Sequence, residues 1–268
     1  MGHGLTKASE MWQHLSASRV GTSHMQSGTV CQDSNLVEVL RISTGDFLCF
    51  ACSDGAGSAS HSHEGSALAC AQFVELAKDF CQSSNLKELT HEKALPWLAA
   101  IQASIVEHAS SLGVPVRELA CTLLAGIIGP ECSVFFQVGD GAIVINEGAV
   151  LRTVFWPQSG EYVNTTNFVT QEECGEKLEF MQFPSVVDEL AVFSDGLERL
   201  LLRFDYQIVH EPALRPMLKQ LAETPAEQLE LLHQSLGEFL NSERVNSFTD
   251  DDKTLILATR KPIDVPVH

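Results

Sequence analysis

The chain has 268 residues, of which 44% are hydrophobic and 19% charged, so it is long enough to bury a sizeable core. Its 17 Lys and Arg residues stand against 35 Asp and Glu residues, and a formal charge of -18 repels nucleic-acid phosphates instead of neutralising them. No apolar run approaches the roughly 18 residues that a membrane-spanning helix needs. We therefore expect neither a nucleic-acid partner nor a membrane span.

The eight cysteines are scattered through apolar or strand-like stretches, and the N-terminus lacks the apolar core of a signal peptide. We therefore expect a cytoplasmic protein with reduced thiols. Cys49 and Cys52 form a C-x-x-C motif inside a strand-like run, where their odd separation places them on opposite faces. A redox or zinc role is an alternative for this pair, but no second Cys pair or Cys/His pair has suitable spacing.

The first half of the chain predicts a hairpin followed by two helices. After a polar, weakly patterned segment over residues 1–35, Leu36–Leu40 and Phe47–Cys52 have the composition of two strands joined by a turn. A loop of small residues, Ser53–Ser60, comes next. Two stretches with apolar residues at helical spacing follow, and Gly113 supplies the stop signal of the second.

The second half predicts short strands. Four apolar runs are joined by connectors short enough for hairpins and too short for parallel crossovers, which indicates an antiparallel meander. These runs are Thr122–Ile128, Ser133–Val138, Ala142–Ile145 and Ala149–Phe155. Leu190–Phe193 and Thr254–Ala258 predict two further strands. Between them, Thr224 and Pro225 predict the N-cap and first residue of a helix.

Together these elements favour an α+β protein. The hairpin links favour antiparallel sheets, and strands that are apolar throughout suit sheets buried on both faces. Two stacked, mainly antiparallel sheets flanked by helices satisfy both observations. No internal repeat or linker divides the chain, and the weakest candidate boundary is the polar stretch Gln158–Gly175. We therefore predict a single domain over residues 1–268.

Carboxylates follow or precede several of the predicted strands. Three apolar runs end in Asp-Gly, at Asp54, Asp140 and Asp195, while Asp33 precedes the first strand and the run 250–252 precedes the last. A buried strand fixes the position of such a carboxylate, and glycine lets backbone carbonyl groups approach a bound ion. Asp-Gly is also a common hairpin signal, and only Asp140 lies between two runs at hairpin length. Asp140 is therefore the candidate best explained as a simple turn.

Clustered carboxylates without positive partners repel one another, which raises their pKa values unless a cation neutralises them. Ligands that are all oxygen select hard ions, so the pattern indicates Mg²⁺ or Mn²⁺ in preference to zinc. Two such ions bridged by a water molecule lower the pKa of that water and stabilise both oxygens of an in-line phosphoryl displacement. The residues thus predict a metal-dependent phosphatase that needs no protein nucleophile.

The order of these motifs resembles the protein phosphatase 2C family, also called PPM, in its compact bacterial form. The resemblance extends from about residue 18 to 260. Five motifs carry it, namely Cys31-Gln32-Asp33, Ser53-Asp54-Gly55-Ala56-Gly57-Ser58, Gly139-Asp140-Gly141, Ser194-Asp195-Gly196 and Asp251-Asp252-Lys253-Thr254. The resemblance implies a four-layer α-β-β-α sandwich and a monomeric phosphatase that acts on phosphoserine and phosphothreonine proteins, paired with a cognate kinase.

The resemblance also implies a site for two or three Mn²⁺ or Mg²⁺ ions. By position, the implied ligands are Asp33, Asp54, Gly55, Asp140, Asp195 and Asp251. Asp54, Asp195 and Asp251 are the implied catalytic residues, and Asp54 bridges two ions while the Gly55 carbonyl binds one. Asp33 acts from the inner or water-mediated shell, and Asp140 corresponds to the ligand of a weaker third ion.

The chain departs from the family pattern at two positions. Ala56 stands where many eukaryotic members have a histidine that is a proposed general acid, and Gly28 stands where they have a phosphate-binding arginine. Because Gly21-Thr22-Ser23-His24 resembles a feature of bacterial relatives, His24 is the candidate for the phosphate contact. His61 and His63, in the loop after Asp54, are candidates for assisting proton transfer.

Three other functions compete with this interpretation. Residues 250–254 fit the D-x-D-x-T motif of haloacid-dehalogenase-type phosphotransferases, but those enzymes carry it after an early strand of a parallel sheet. A pseudophosphatase would keep the fold and bind phosphoproteins without turnover, yet Asp54, Asp195 and Asp251 are intact. The loop that begins at Asp54 lacks the lysine and hydroxyl of a nucleotide-binding P-loop.

Overall fold

The computed structural model of the protein describes residues 10–158 and 166–262. Its strands are β1 Glu10–Arg19, β2 Ser34–Ile42, β3 Gly45–Ser53, β4 Leu123–Ile128, β5 Ser133–Val138, β6 Ala142–Glu147, β7 Val150–Thr153, β8 Glu179–Phe183, β9 Glu189–Phe193, β10 Leu202–Arg203, β11 Ile208–Val209 and β12 Lys253–Pro262. Its α-helices are α1 Thr22–Ser27, α2 Ser62–Ser83, α3 His91–Leu112, α4 Cys174–Lys177, α5 Glu198–Leu201, α6 Glu211–Glu223, α7 Leu229–Leu240 and α8 Glu243–Asn246.

Ten of these strands form two stacked sheets. The first sheet has the order β1-β12-β9-β6-β7 and the second has the order β2-β3-β4-β5-β8, while β10 and β11 form a separate ribbon. Among the described residues, all strand pairings are antiparallel. The predicted fold class, two antiparallel sheets flanked by helices, is confirmed.

Strand β3 shows why the central strands are apolar throughout. Leu48, Phe50 and Cys52 belong to the core between the two sheets, whereas Phe47 and Cys49 belong to the core under the helices. Both faces of the strand are therefore buried, and alternation between them places successive side chains in different cores. The predicted separation of Cys49 and Cys52 onto opposite faces is confirmed, and both thiols are free.

Helices cover the outer face of each sheet. Helices α2 and α3 pack on the second sheet, where the rings of Phe73 and Trp97 lie 5.1 and 5.8 Å from that of Phe136 on β5. Helices α6 and α7 pack on the first sheet, and α6 presents Leu214 and Leu218 on one face. The layers therefore run α-β-β-α. Within the two described ranges, no helix is both long and apolar enough to cross a membrane.

The predicted antiparallel meander over residues 122–155 is wrong in its middle. Strand β5 pairs with β4 and β8, whereas β6 pairs with β7 and β9 in the other sheet. The link through Asp140 therefore carries the chain from one sheet to the other. Gly139 and Gly141 take φ values of 102° and 79°, which favour glycine. Asp140 is thus not a hairpin turn, contrary to the interpretation favoured for it above.

Other corrections concern the ends of the chain and the region before the last strand. The polar segment 1–35 contains β1, which buries Leu15 and Ala17 under the helices of the first sheet and Trp12, on its opposite face, between the two sheets. Helix α6, which the sequence analysis did not predict, ends at Glu223, so Thr224 follows a helix and its Oγ1 donates to the Gln220 carbonyl at 2.7 Å. Thr224 is therefore not an N-cap, and the candidate boundary at 158–175 lies partly outside the described residues.

The aromatic cluster around Phe136 provides a test of this packing. Phe136→Ala removes the ring that α2, α3 and β5 share, so the unfolding free energy is expected to fall by about 3 to 5 kcal/mol, measured by urea denaturation. The control Phe248→Ala, at a side chain that is 44% exposed, is expected to change it by less than about 0.5 kcal/mol. Equal losses in the two variants would contradict the assignment of this core.

Candidate active site

The strand registers bring several chain segments together at one edge of the sandwich. Ser34 pairs with Ser53, so the residues before β2 and after β3 lie side by side. Phe193 pairs with both Ala142 and Leu255, so the end of β9 adjoins the starts of β6 and β12. Because these ends belong to both sheets, side chains that leave them can face one another across the sandwich.

Five predicted ligands occupy these strand ends and interact electrostatically. Burial raises the pKa of Asp54 well above its usual range, and the charges of Asp33, Asp195 and Asp140 raise it further. Burial likewise raises the pKa of Asp195, with Asp140, Asp251 and Asp33 adding to the effect. Each of the five carboxylates therefore lies within reach of the charge of at least one other, and their role as ligands stays a prediction.

Asp33 is held from one side only. Its Oδ2 accepts a hydrogen bond from Ser194 Oγ at 2.6 Å, and Ser194 Oγ in turn accepts one from the Thr254 amide at 3.0 Å. Its Oδ1 is buried without a hydrogen-bond partner, as is Oδ1 of Asp140. Burial raises the pKa of Asp33 to about 6, although interactions with the side chains of Asp54, Ser194 and Thr254 oppose this. Both carboxylates thus retain an acceptor oxygen that a cation can satisfy.

The segment that carries Asp54 is fixed by its neighbour across the sheet. The Asp54 amide donates to Thr122 Oγ1 at 2.9 Å, and the Thr122 amide donates to the Asp54 carbonyl at 2.8 Å. A Cβ atom on Gly55 would lie 2.7 Å from the Gln32 carbonyl oxygen and 2.8 Å from Ser62 Cβ. Any larger residue would overlap these atoms, so close packing requires glycine directly after Asp54.

Glu198 is a site residue that the sequence analysis missed. Its Oε1 accepts a hydrogen bond from the Gly141 amide at 2.7 Å, which ties the start of α5 to the link between the sheets. Burial raises its pKa to about 7, and the charge of Asp140 contributes. One signal in the sequence could have identified Glu198 as a site residue. It lies three residues after Asp195, at the start of a helix that follows a buried strand.

Lys253 is a second residue that was missed, and it corrects the expectation that no positive group lies near the carboxylates. Its side chain is fully buried, and Nζ donates to Asn246 Oδ1 at 2.9 Å. Burial lowers its pKa, while the charges of Asp252, Asp251 and Asp33 oppose this. One buried cation therefore faces several carboxylates, which leaves the cluster with an excess of negative charge.

The candidate histidines fall into two places. His24 Nδ1 lies 3.0 Å from Asp252 Oδ1, beside the start of β12. His61 Nδ1 lies 2.8 Å from Glu64 Oε1, His63 Nε2 lies 3.9 Å from the same oxygen, and His108 Nε2 lies 2.6 Å from Glu64 Oε2. Both rings of His61 and His63 therefore lie near Glu64, and their assistance in proton transfer stays a prediction.

The residues present suit a hard divalent cation. Across the described residues, no group of three His, Cys, Asp or Glu side chains is already arranged to hold a metal ion. The donor set nevertheless consists of carboxylate oxygens, and two of these, on Asp33 and Asp140, are buried without a hydrogen-bond partner. Raised carboxylate pKa values with one buried lysine are the electrostatic signature that a bound cation relieves.

The fold and this cluster define a class of protein, the α-β-β-α sandwiches with carboxylates gathered at one edge of the stacked sheets. The haloacid-dehalogenase alternative does not fit this class, because residues 250–254 precede the last strand of an antiparallel sheet. Comparison with known proteins supplies the family.

A family model described as Protein phosphatase 2C matches residues 20–241. Serine/threonine-protein phosphatase 3 of Escherichia coli (strain K12) is 35% identical to the chain over 248 residues, which cover 92% of this chain and 98% of that protein. The chain therefore belongs to the protein phosphatase 2C family.

Solved structures agree at the level of the fold. A bacterial serine phosphatase superimposes with a TM-score of 0.63 at 14% identity, covering 95% of this chain and 100% of that one. The serine/threonine phosphatase of S. agalactiae gives a TM-score of 0.61 at 17% identity, with 93% and 99% covered. Stp1 from Staphylococcus aureus gives 0.60 at 15% identity, with 97% and 99% covered.

The raised carboxyl pKa values predict how stability depends on pH in the absence of metal. Unfolded carboxyl groups titrate near pH 4, whereas Asp33 and Glu198 titrate at about 6 and about 7 in the folded protein. Between these values the folded state binds more protons than the unfolded state, so the unfolding free energy falls as the pH rises. In EDTA, the Tm is therefore expected to be higher at about pH 5.5 than at about pH 7.5.

The contribution of Glu198 to the fall in Tm with rising pH can be measured separately. Glu198→Gln keeps an oxygen for the Gly141 amide but cannot ionise, so the fall in Tm with pH is expected to be shallower than in the wild type. Circular dichroism melts at a series of pH values measure both. If the Tm in EDTA instead rises from about pH 5.5 to about pH 7.5, the buried carboxyl groups do not have the raised pKa values on which this prediction rests.

Proposed function

We propose that the chain is a serine/threonine phosphoprotein phosphatase that works with two or three Mn²⁺ or Mg²⁺ ions. The observation that carries the proposal is the gathering of five mutually repelling carboxylates at the strand ends of two sheets. Membership of the protein phosphatase 2C family and the 35% identity to a named serine/threonine phosphatase support it.

Within this proposal, Asp54, Asp195 and Asp251 are the principal ligands, and the Gly55 carbonyl joins them. Asp33 would contribute Oδ1, because Ser194 occupies its Oδ2. When bound, the ions supply an activated water molecule and offset the charge that develops on the phosphoryl group.

The chain's own contribution is positioning. Asp140 would hold a third, weaker ion, since it lies at the crossing between the sheets and its Oδ1 is unpartnered. Glu198 fixes that crossing through the Gly141 amide, and the Ser194 and Thr254 groups fix Asp33. These bonds orient the acids before any substrate arrives, which reduces the reorganisation required during reaction.

The pseudophosphatase alternative is not favoured, because the Escherichia coli relative and the S. agalactiae and Staphylococcus aureus structures are described as phosphatases and the acids of the site are all present. We further propose that the substrates are phosphoserine and phosphothreonine proteins made by a cognate kinase. A single domain over residues 1–268 acting as a cytoplasmic monomer completes this proposal.

Hydrolysis of p-nitrophenyl phosphate and of a phosphothreonine peptide tests the proposal. Activity is expected with Mn²⁺ or Mg²⁺ and is expected to disappear in excess EDTA. Asp54→Asn is expected to lower kcat on the order of 10³-fold, which corresponds to about 4 kcal/mol of transition-state stabilisation.

The matched control is Asp79→Asn, which makes the same chemical change at an exposed position on α2 and is expected to leave kcat within twofold. Full activity in EDTA, or an Asp54→Asn variant as active as the control, would refute the metal-dependent mechanism.

A further inference from the structure

The imidazole of His24 lies beside a buried carboxylate. Its Nδ1 lies 3.0 Å from Oδ1 of Asp252, whose side chain is only 2% exposed. Asp252 is itself fixed by two backbone amides, because Oδ1 accepts from Gly21 at 2.6 Å and Oδ2 accepts from Gln32 at 2.5 Å. Because Nδ1 faces this carboxylate, Nε2 is the ring nitrogen left to meet a bound molecule.

The Nε2 edge of this ring faces the loop that follows Asp54. A Cβ atom on Gly57 would lie 3.9 Å from His24 Nε2 and 4.0 Å from Gln32 Oε1, so these two polar atoms flank the same exposed point. Gln32 is 3% exposed, and its Nε2 donates to the Ala59 carbonyl at 3.1 Å. Its Oε1 is buried and has no hydrogen-bond partner.

His24 Nε2 and Gln32 Oε1 therefore form a pair of polar atoms beside the carboxylate cluster. A buried amide oxygen without a donor destabilises the folded protein unless a bound molecule supplies one. An imidazole edge and an unsatisfied acceptor at one point suit a group that takes a proton and then donates a hydrogen bond. The oxygen that leaves a phosphoserine or phosphothreonine is such a group, since it departs as an alkoxide and ends as a hydroxyl.

We propose that His24 is the general acid of the reaction and that Gln32 receives the leaving hydroxyl, an inference that rests on the proposed phosphatase function. The bond from phosphorus to the substrate oxygen breaks, its electron pair stays on that oxygen, and the proton of His24 Nε2 transfers to it. A water oxygen forms the new bond to phosphorus and loses a proton to solvent. Asp252 is a positioning residue, and the proton donor is needed because Ala56, next to Gly55, has none to give.

Leaving groups of different basicity test this role. His24→Ala is expected to lower kcat for a phosphothreonine peptide by about 10² to 10³-fold, because an alkoxide leaves poorly without a proton. The same variant is expected to lower kcat for p-nitrophenyl phosphate by less than about tenfold, because p-nitrophenolate leaves without one. Phenyl phosphate, with its more basic leaving group, is expected to fall between them.

Three further variants separate the roles. Asp252→Asn, which removes the charge beside Nδ1, is expected to show the same dependence on leaving group with a smaller loss. Gln32→Leu is expected to slow the peptide reaction more than the p-nitrophenyl reaction. His233→Ala replaces an exposed histidine of α7 and is expected to leave both rates within twofold. Thermal melts confirm that each variant is folded.

Mn²⁺ binding, measured by calorimetry without substrate, gives a readout that is independent of turnover. His24→Ala is expected to bind Mn²⁺ within twofold of the wild type. A tenfold loss of affinity, or an equal loss of kcat for both esters, would overturn the proposal and assign His24 to the cation site or to phosphate binding. A wild-type protein inactive on every ester would overturn the phosphatase function itself, which distinguishes that failure from failure at His24 alone.

Discussion

Repulsion between buried carboxylates is the interaction on which the rest of the molecule depends. The strand registers place Asp33, Asp54, Asp140 and Asp195 at one edge of two sheets, where little water screens their charges. A flexible chain would relieve this repulsion by moving the acids apart. The two sheets prevent that, because their strands are buried on both faces and each sheet is covered by a pair of helices.

The hydrogen bonds around the cluster follow from the same constraint. Ser194 bridges the Asp33 carboxylate and the Thr254 amide, so one hydroxyl connects a loop of one sheet with two strands of the other. Glu198 accepts a hydrogen bond from the Gly141 amide and so connects the start of α5 with the link between the two sheets. Oxygen atoms without partners remain at the centre of this frame. The molecule therefore stores unfavourable electrostatic energy at a site where a bound cation can release it.

Much of the fold was predictable from local patterns, because burial on both faces makes a strand visible as an apolar run and Gly113 marks a helix end. The link at Asp140 was not, since a connector of hairpin length looks the same in sequence whether its strands pair or lie in different sheets. The acids at the strand ends were predictable because each lies next to an apolar run that is itself visible in the sequence. Glu198 and Lys253 were missed, because each is tied to the site by a backbone group far away in the chain. Those groups are the Gly141 amide for Glu198 and the Val20 carbonyl for Lys253.

The pairing of β1 with β12 has a consequence for synthesis of the protein. These two strands are separated by more than two hundred residues, yet Arg19 pairs with Lys253 next to the acids. Asp251 and the Asp252 carboxylate beside His24 both adjoin β12, so neither reaches the site until that strand is in place. A nascent chain still missing its last strand would therefore be unable to act on phosphoproteins, and formation of so distant a contact is expected to be slow.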